Sequence, residues 1–252
     1  MFDVAAESYD RFMGRFASPL APAFADFAGV KAGQRVIDVG CGPGALTGDL
    51  VQRVGADAVS AIDPSEPFVE AVRKRFPGVD VRHGGAESLP FNDDSFDRAV
   101  AQLVVNFMAD PLQGLREMAR VTRRGGIVAV TVWDLTGGRS PLGPFWRAVN
   151  AMDPGEMGER SVPGGSEGDL GKLLTQAGLT DVEEADLLVT VEHASFEAWW
   201  EPFTLGVGPA GGYLLRQDEE HRLAIMEHAR DEYPDAPGIR EAHAWSARGT
   251  VA

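Results

Sequence analysis

The stretch Val36-Ile37-Asp38-Val39-Gly40-Cys41-Gly42-Pro43-Gly44, VIDVGCGPG, decides how the rest of the chain is read. Apolar residues around one aspartate run into three glycines within five positions. A buried strand thus gives way to a turn almost without side chains. Leu46, Leu50 and Val54 then fall on one face of a short helix. Glycines in such a turn open the positive-φ region and let a ligand approach backbone N–H groups at a helix N-terminus. A tight strand-to-helix turn that merely needs small residues is the plainer alternative.

Outward from this turn the pattern repeats. Further strands are expected at 58–63, 79–83, 96–105 and 126–133. Ser65 is placed to cap a helix carrying Phe68, Val69, Val72 and Phe76, stopped by Pro77-Gly78. Asp110-Pro111 opens another, with Leu112, Leu115, Met118 and Ala119 turned inward, a capping residue followed by proline at the first helical position. Strands separated by helices of this length mean right-handed crossovers and a parallel sheet covered on both faces. Residues 135–168 are interrupted by glycine and proline around one apolar piece at 145–149, which predicts a mobile lid or a disordered link. Ser166 and Asp169 read as a capping box for a helix with Leu170, Leu173, Leu174 and Ala177, ended by Gly178. A strand at 187–191, an aromatic segment at 196–205 and an amphipathic helix at 218–233 follow. Residues 239–251 alternate, with Ile239, His243 and Trp245 on one side, as an antiparallel last strand does.

Composition narrows the function. A length of 252 residues suits one α/β domain, taken here as 1–252. With 23 basic against 38 acidic residues and a net charge of −15, a phosphate-tracking nucleic-acid partner is excluded. The single cysteine allows no intrachain disulfide and fits a reducing compartment. Met1-Phe2-Asp3-Val4 lacks the basic and apolar regions of a signal peptide, and no apolar run reaches the roughly 18 residues of a membrane span. A cytoplasmic protein without a membrane partner is expected.

The glycine turn by itself admits two ligands. Gly40, Gly42 and Ala45 also satisfy the dinucleotide fingerprint, and Asp63 lies at the distance expected of a ribose-binding carboxylate. A nicotinamide-dependent oxidoreductase and a non-catalytic cofactor-binding module therefore stand as alternatives. Asp38 separates the readings: a pyrophosphate wants no anion beside the turn, whereas a ligand with an amino group suits one.

Residues 36–44 resemble the glycine-rich signature of class I S-adenosylmethionine-dependent methyltransferases. Ala61-Ile62-Asp63-Pro64-Ser65 is similar to the family's acidic turn after the second strand. Ala86-Glu87-Ser88-Leu89-Pro90-Phe91, followed by Asp94-Ser95-Phe96-Asp97, resembles its adenine-side block. Arg120-Val121 through Arg124-Gly125-Gly126, and Ser8-Tyr9-Asp10 ahead of the core, also fit it. The likeness is to the small-molecule branch that includes ubiquinone- and menaquinone-type methyltransferases. It implies a Rossmann-like α/β fold: a mostly parallel sheet of about seven strands, an antiparallel last strand, and an insertion of two helices between the final two strands. An N-terminal helical cover at 1–30 and cap segments at 135–168 and 196–236 complete the expected domain.

The resemblance implies S-adenosylmethionine as methyl donor, S-adenosylhomocysteine as product and a small organic molecule as acceptor. Gly40, Cys41, Gly42 and Gly44 would lie along the methionine portion, with Asp38 at its amino group. Asp63 would accept from both ribose hydroxyls. The Ala86 N–H would meet adenine, with Pro64 and Phe68 packed nearby. Gln102 and Leu103 would face the methionine end, and Tyr9 would fold over the cofactor. Two departures matter. Relatives often carry an aspartate at Gly85, so Glu87, a carbonyl or water would have to take the adenine amino group. They often carry histidines where this chain has Asn106-Phe107, so no general base is assigned.

Such a base is dispensable for an acceptor that need not lose a proton, because the sulfonium is already activated. His83, His193, His221, His228 and His243 are scattered and read as surface or packing residues, and Cys41 reads as a filler in the turn. No metal-ligand spacing occurs. For the acceptor, Trp199 and Phe203 share a helical face above the carboxyl ends of the strands. They are expected, with 135–168, to wall an apolar pocket floored by Phe107. The sequence assigns neither the acceptor nor an oligomeric state.

Overall fold

A computed structural model describes residues 6–156, 158, 159, 161–231 and 238–252. Its centre is β1 (Val36–Val39), whose four residues are all buried. Around it lie β2 (Val59–Asp63), β3 (Asp80–His83), β4 (Phe96–Gln102), β5 (Thr122–Trp133), β6 (Thr180–His193) and β7 (Gly238–Thr250). These seven strands form one sheet in the order β3-β2-β1-β4-β5-β7-β6. Neighbours from β3 to β5 pair in parallel, and β7 runs antiparallel to both β5 and β6. The expected sheet, with its antiparallel last strand, is what the structure has.

The chain leaves β1 toward β2 on one side and returns to β4 on the other. The carboxyl ends of β1 and β4 therefore flank the crevice where the strand order reverses, the place open α/β sheets bind ligands. Helices cover both faces: α3 (Ala45–Val54), α4 (Glu66–Arg75) and α5 (Pro111–Val121) as expected. Asp110 caps α5, accepting from the Gln113 N–H at 3.0 Å. Ser65 occupies the N-cap position of α4, but its side chain makes no capping bond. Before the sheet come α1 (Ala6–Tyr9), a π-helical turn at Asp10–Gly14 and α2 (Arg15–Phe27), which buries Phe16, Leu20 and Phe24 at i, i+4 spacing. Residues 1–5 of the expected cover lie outside the described residues.

Several expectations change in the second half. Residues 135–168 build α6 (Gly143–Met152), which buries Phe145, Trp146, Ala148 and Val149. This packed element replaces the expected lid or link, because its apolar residues find the main core cluster. The helix α7 (Asp169–Gln176) begins after Gly168 in the left-handed region, without a Ser166 capping box; Ser166 Oγ donates to Thr136 Oγ1 instead. The strand expected at 187–191 is the apolar end of the much longer β6. Its first half is mostly exposed and polar, so it carries little hydrophobic signal.

Between β6 and β7 lie α8 (Phe196–Trp200), a 3₁₀ turn at Glu201–Leu205, α9 (Gly208–Arg216) and α10 (Glu219–Asp231), more than the expected two helices. The expected end of the amphipathic helix at 232–233, residues 234–236 of the cap and the side chain of Ile239 lie outside the described residues. Among the described residues no helix is long and apolar enough to cross a membrane.

Candidate functional site

The three glycines of the turn have three different local reasons. Gly40 (φ 72°) leaves β1 beneath Val104, and a Cβ there would lie 2.5 Å from both Val104 methyls. Its freedom from side chain joins the ends of β1 and β4. Gly44 (φ 97°) lies against α4, where a Cβ would meet Phe76 at 2.8 Å. At Gly42 (φ 53°) a Cβ would meet nothing within 4 Å. That residue alone faces open space, and the space is a cleft.

Two buried carboxylates line the bottom of this region. Asp38 accepts from Thr47 Oγ1 on the first turn of α3 at 2.6 Å. Burial pushes its carboxyl up to about 7; the Thr47 hydroxyl opposes the rise and the nearby Asp63 charge adds to it. Asp63 ends β2, and its two oxygens accept from the Gly42 and Ser65 N–H groups, each at 2.8 Å. Burial raises its carboxyl too, against those two amides. Each Asp63 oxygen keeps a lone pair for a further donor. Gln102 donates from Nε2 to the Ala17 carbonyl at 3.0 Å, while its buried Oε1 has no partner.

These groups open into a cleft of about 480 Å³ lined by Gly40, Gly42, Asp63, Pro64, Phe68, Gln102 and Leu103 among others. A smaller cavity of about 20 Å³ reaches Asp38, Cys41 and Pro43 beneath the turn. Tyr9 touches both and packs edge-on against Phe68 at 5.4 Å; burial and the neighbouring Asp63 charge push its hydroxyl well above the usual phenol range. Cys41 is a buried filler beside Ala61, Val69 and Val72, and burial pushes its thiol up. A thiol so placed is a poor nucleophile.

A third cavity, about 40 Å³, adjoins the cleft through Tyr9, Leu103 and Phe107, which line both. Its walls are otherwise nearly all apolar: Phe12 and Met13 from the π-helical turn, Val132 and Trp133 from the end of β5, and Leu135, Leu142 and Val207. Leu103 carries a φ of 63°, which a branched, non-glycine side chain adopts only at a cost of about 1–3 kcal/mol. Its N–H is held by the Thr131 carbonyl at 2.8 Å, so the strand end is fixed where the cavities meet.

Not every expected residue reaches this site. Trp199 and Phe203 are fully buried and line none of these three cavities. They stack in a cluster where Phe145 lies parallel to Phe203 at 4.7 Å and Phe12 meets it edge-on at 5.2 Å. Phe12, which lines the cavity, packs on Phe203, and Phe203 on Trp199, so they stand behind the wall. Ala86 is buried against Gly114, and Glu87 Oε1 accepts from the Ala109 N–H at 2.8 Å; neither lines the cleft. Phe107 is half-exposed at the mouth shared by cleft and cavity.

Sequence reasoning passed over Thr47, Val104 and Glu159, and read His83 only as a surface or packing residue. Thr47, a polar residue on the apolar stripe of α3, carried a readable signal. His83 Nε2 sits 2.9 Å from the Pro64 carbonyl at the rim of the cleft, a position visible only in space. Glu159 lies in the glycine-rich stretch, yet it is buried and accepts from the Trp146 indole. Among the described residues no cluster of side chains could hold a metal ion.

A cavity with buried acceptors at one end and a carboxylate aimed at a second subsite suits a ligand bearing both an amino group and vicinal hydroxyls. Residues 37–130 match the family described as a methyltransferase domain. Over 98 residues the chain is 39% identical to 2-methyl-6-phytyl-1,4-hydroquinone methyltransferase 2 of Oryza sativa subsp. japonica, covering 38% of this chain and 28% of that one. Over 213 residues it is 29% identical to trans-aconitate 2-methyltransferase of Rhizobium etli, covering 80% of each. The chain spans no more than half the length of the first curated relatives it matches. Its fold is similar to that of an S-adenosylmethionine-dependent methyltransferase from Thermotoga maritima, with a TM-score of 0.58 and 21% identity over 98% of this chain and 95% of that one. The glycine turn at the crossing point of the sheet thus lies within the methyltransferase domain that residues 37–130 match.

Proposed function

We propose that the chain transfers a methyl group from S-adenosylmethionine to a small organic acceptor held in the apolar cavity beside Leu103. The observation that carries this reading is the junction itself: a cleft lined by the buried Asp63 carboxylate, with Asp38 in the small cavity beneath the turn, meets a nearly apolar chamber at a single strained strand end. The bound donor would supply an activated methyl carbon on a sulfonium. Asp63 holds ribose hydroxyls, and Asp38 with Gln102 Oε1 receives the amino group, which gives that buried oxygen the partner it lacks. Gly42 leaves room for the cofactor, and Tyr9 with Phe68 covers it. Ala86 and Glu87 shape the adenine end from behind, through the 109–110 backbone.

The protein's contribution is then orientation and exclusion of water, which such a transfer needs most. Phe107 and the apolar walls select an uncharged or aromatic acceptor, and Trp199 and Phe203 brace those walls. We read residues 1–252 as a single methyltransferase unit. The net charge of −15 speaks against nucleic acid as substrate, and the lone cysteine supports a cytoplasmic setting. Calorimetry tests the reading: S-adenosylhomocysteine should bind and NAD should not. Binding of NAD alone would return the chain to the oxidoreductase alternative.

A further inference from the structure

The apolar cavity is not wholly apolar. Asn106 Oδ1 is buried in its lining without a hydrogen-bond partner. Glu159 lines it from the opposite segment and is only 7% exposed. Among the described residues its carboxylate receives one hydrogen bond, from Trp146 Nε1 to Oε2 at 3.1 Å. The same indole fixes the backbone beside it: Gly158 (φ 54°) lies so close that a Cβ would come 2.7 Å from Trp146 Cδ2. Trp146 itself is buried in α6 and packs against Phe145 and Tyr213. Glu159 is therefore a positioned acid in a place where burial of a carboxylate is costly. Among the described residues no lysine, arginine or histidine lines the chamber to offset it.

Two acceptors, with no cation among the described lining residues, define what they can hold. A ligand must bring hydrogen-bond donors, and an anion would meet Glu159 with nothing to balance its charge. We infer that the cavity takes an apolar acceptor bearing a hydroxyl or amine hydrogen, and that Glu159 accepts that proton as the methyl group is transferred. The inference rests on the methyl-transfer reading and adds the base that the missing histidines left open. The acceptor's lone pair forms the bond to the methyl carbon, and the carbon–sulfur bond breaks with its electron pair remaining on sulfur. The acceptor proton passes to the Glu159 carboxylate, leaving S-adenosylhomocysteine, the methylated product and a protonated acid that solvent later neutralises. Burial pushes Glu159 up to about 7, a value suited to a base that works near neutrality. Asn106 Oδ1 accepts a second hydrogen or orients the same group.

Three probes of one shape test this against the complex with S-adenosylhomocysteine at pH 8: p-cresol, p-xylene and 4-methylbenzoate. By calorimetry p-cresol should bind about tenfold or more tightly than either of the others, the worth of a hydrogen bond to a charged group. Glu159→Gln should lose most of that preference while holding S-adenosylhomocysteine as the wild type does. In single turnovers with S-adenosylmethionine, p-cresol should yield S-adenosylhomocysteine, and Glu159→Gln should be slower by about a hundredfold or more. Equal binding of p-xylene, tightest binding of 4-methylbenzoate, no binding or turnover of p-cresol, or an unaltered preference in Glu159→Gln would each overturn the inference. The wild-type comparison stands even if the variant does not fold. Failure to bind S-adenosylhomocysteine at all would instead remove the methyl-transfer reading.

Discussion

Gly40 and Gly42 lie two residues apart in the same turn, and replacing each by alanine should give opposite outcomes. Both have positive φ, so each substitution carries about 1–2 kcal/mol of backbone strain. At Gly42 that is the whole penalty, because the new Cβ meets no protein atom within 4 Å. At Gly40 the Cβ would fall 2.5 Å from both Val104 methyls, which adds about 1–3 kcal/mol of overpacking where two strand ends join. For a chain of this size each kcal/mol lowers Tm by about 2–4 °C. Thermal unfolding should therefore place Gly42→Ala a few degrees below wild type and Gly40→Ala clearly lower still. Binding should rank differently. Gly42→Ala puts a methyl group into the cleft and should weaken S-adenosylhomocysteine by at least about tenfold in a well-folded protein, with Gly42→Val abolishing it. A folded Gly42→Ala that binds normally would show that the cleft is not the cofactor site. Equal melting of the two variants would refute the reading of Gly40 as a packing glycine.

Removing the Asp63 carboxylate should cost about 2–4 kcal/mol of cofactor affinity by titration calorimetry, since ribose hydroxyls lose a charged partner. It should also lower Tm, because the Gly42 and Ser65 N–H groups lose their acceptor. Asp38 makes ligand-free stability depend on pH: its carboxyl sits at about 7 when folded against an ordinary 3.8. The folded protein then holds a proton that the unfolded chain has lost, so stability is greatest at acid pH, falls as pH rises through that window and levels above about 7. Glu159, raised from 4.5 to about 7, acts in the same direction, and Asp38→Asn should flatten part of the slope in melts from pH 5 to 8. Trp199→Ala should cost about 3–5 kcal/mol of stability in denaturant melts. Phe107→Ala, at the half-exposed mouth, should leave Tm within a few degrees yet weaken p-cresol binding; the reverse pattern would restore Trp199 to the pocket wall.

The chain by itself determined the sheet, the glycine turn, Asp38 and Asp63, because each depends on neighbours within one βαβ unit. A buried strand, a turn that needs positive φ and a helix with an apolar stripe are written in adjacent residues, and their order dictates where the crevice opens. What each glycine is for was not legible. Val104 reaches Gly40 from just beyond the end of β4, far along the chain, and only that contact separates a packing glycine from one that faces the ligand. Hydrophobicity also misled in one direction. Trp199 and Phe203 announce a pocket by composition, yet aromatic area is buried as readily in a core, and Phe12 packs over Phe203 in space. Glu159 hid for the converse reason: a glutamate in a glycine-rich stretch reads as solvated surface until Trp146, folded from the preceding helix, closes over it. Local periodicity fixes which face of an element is apolar. Which polar group is trapped between two such faces depends on how distant elements meet, and that only the tertiary structure decides.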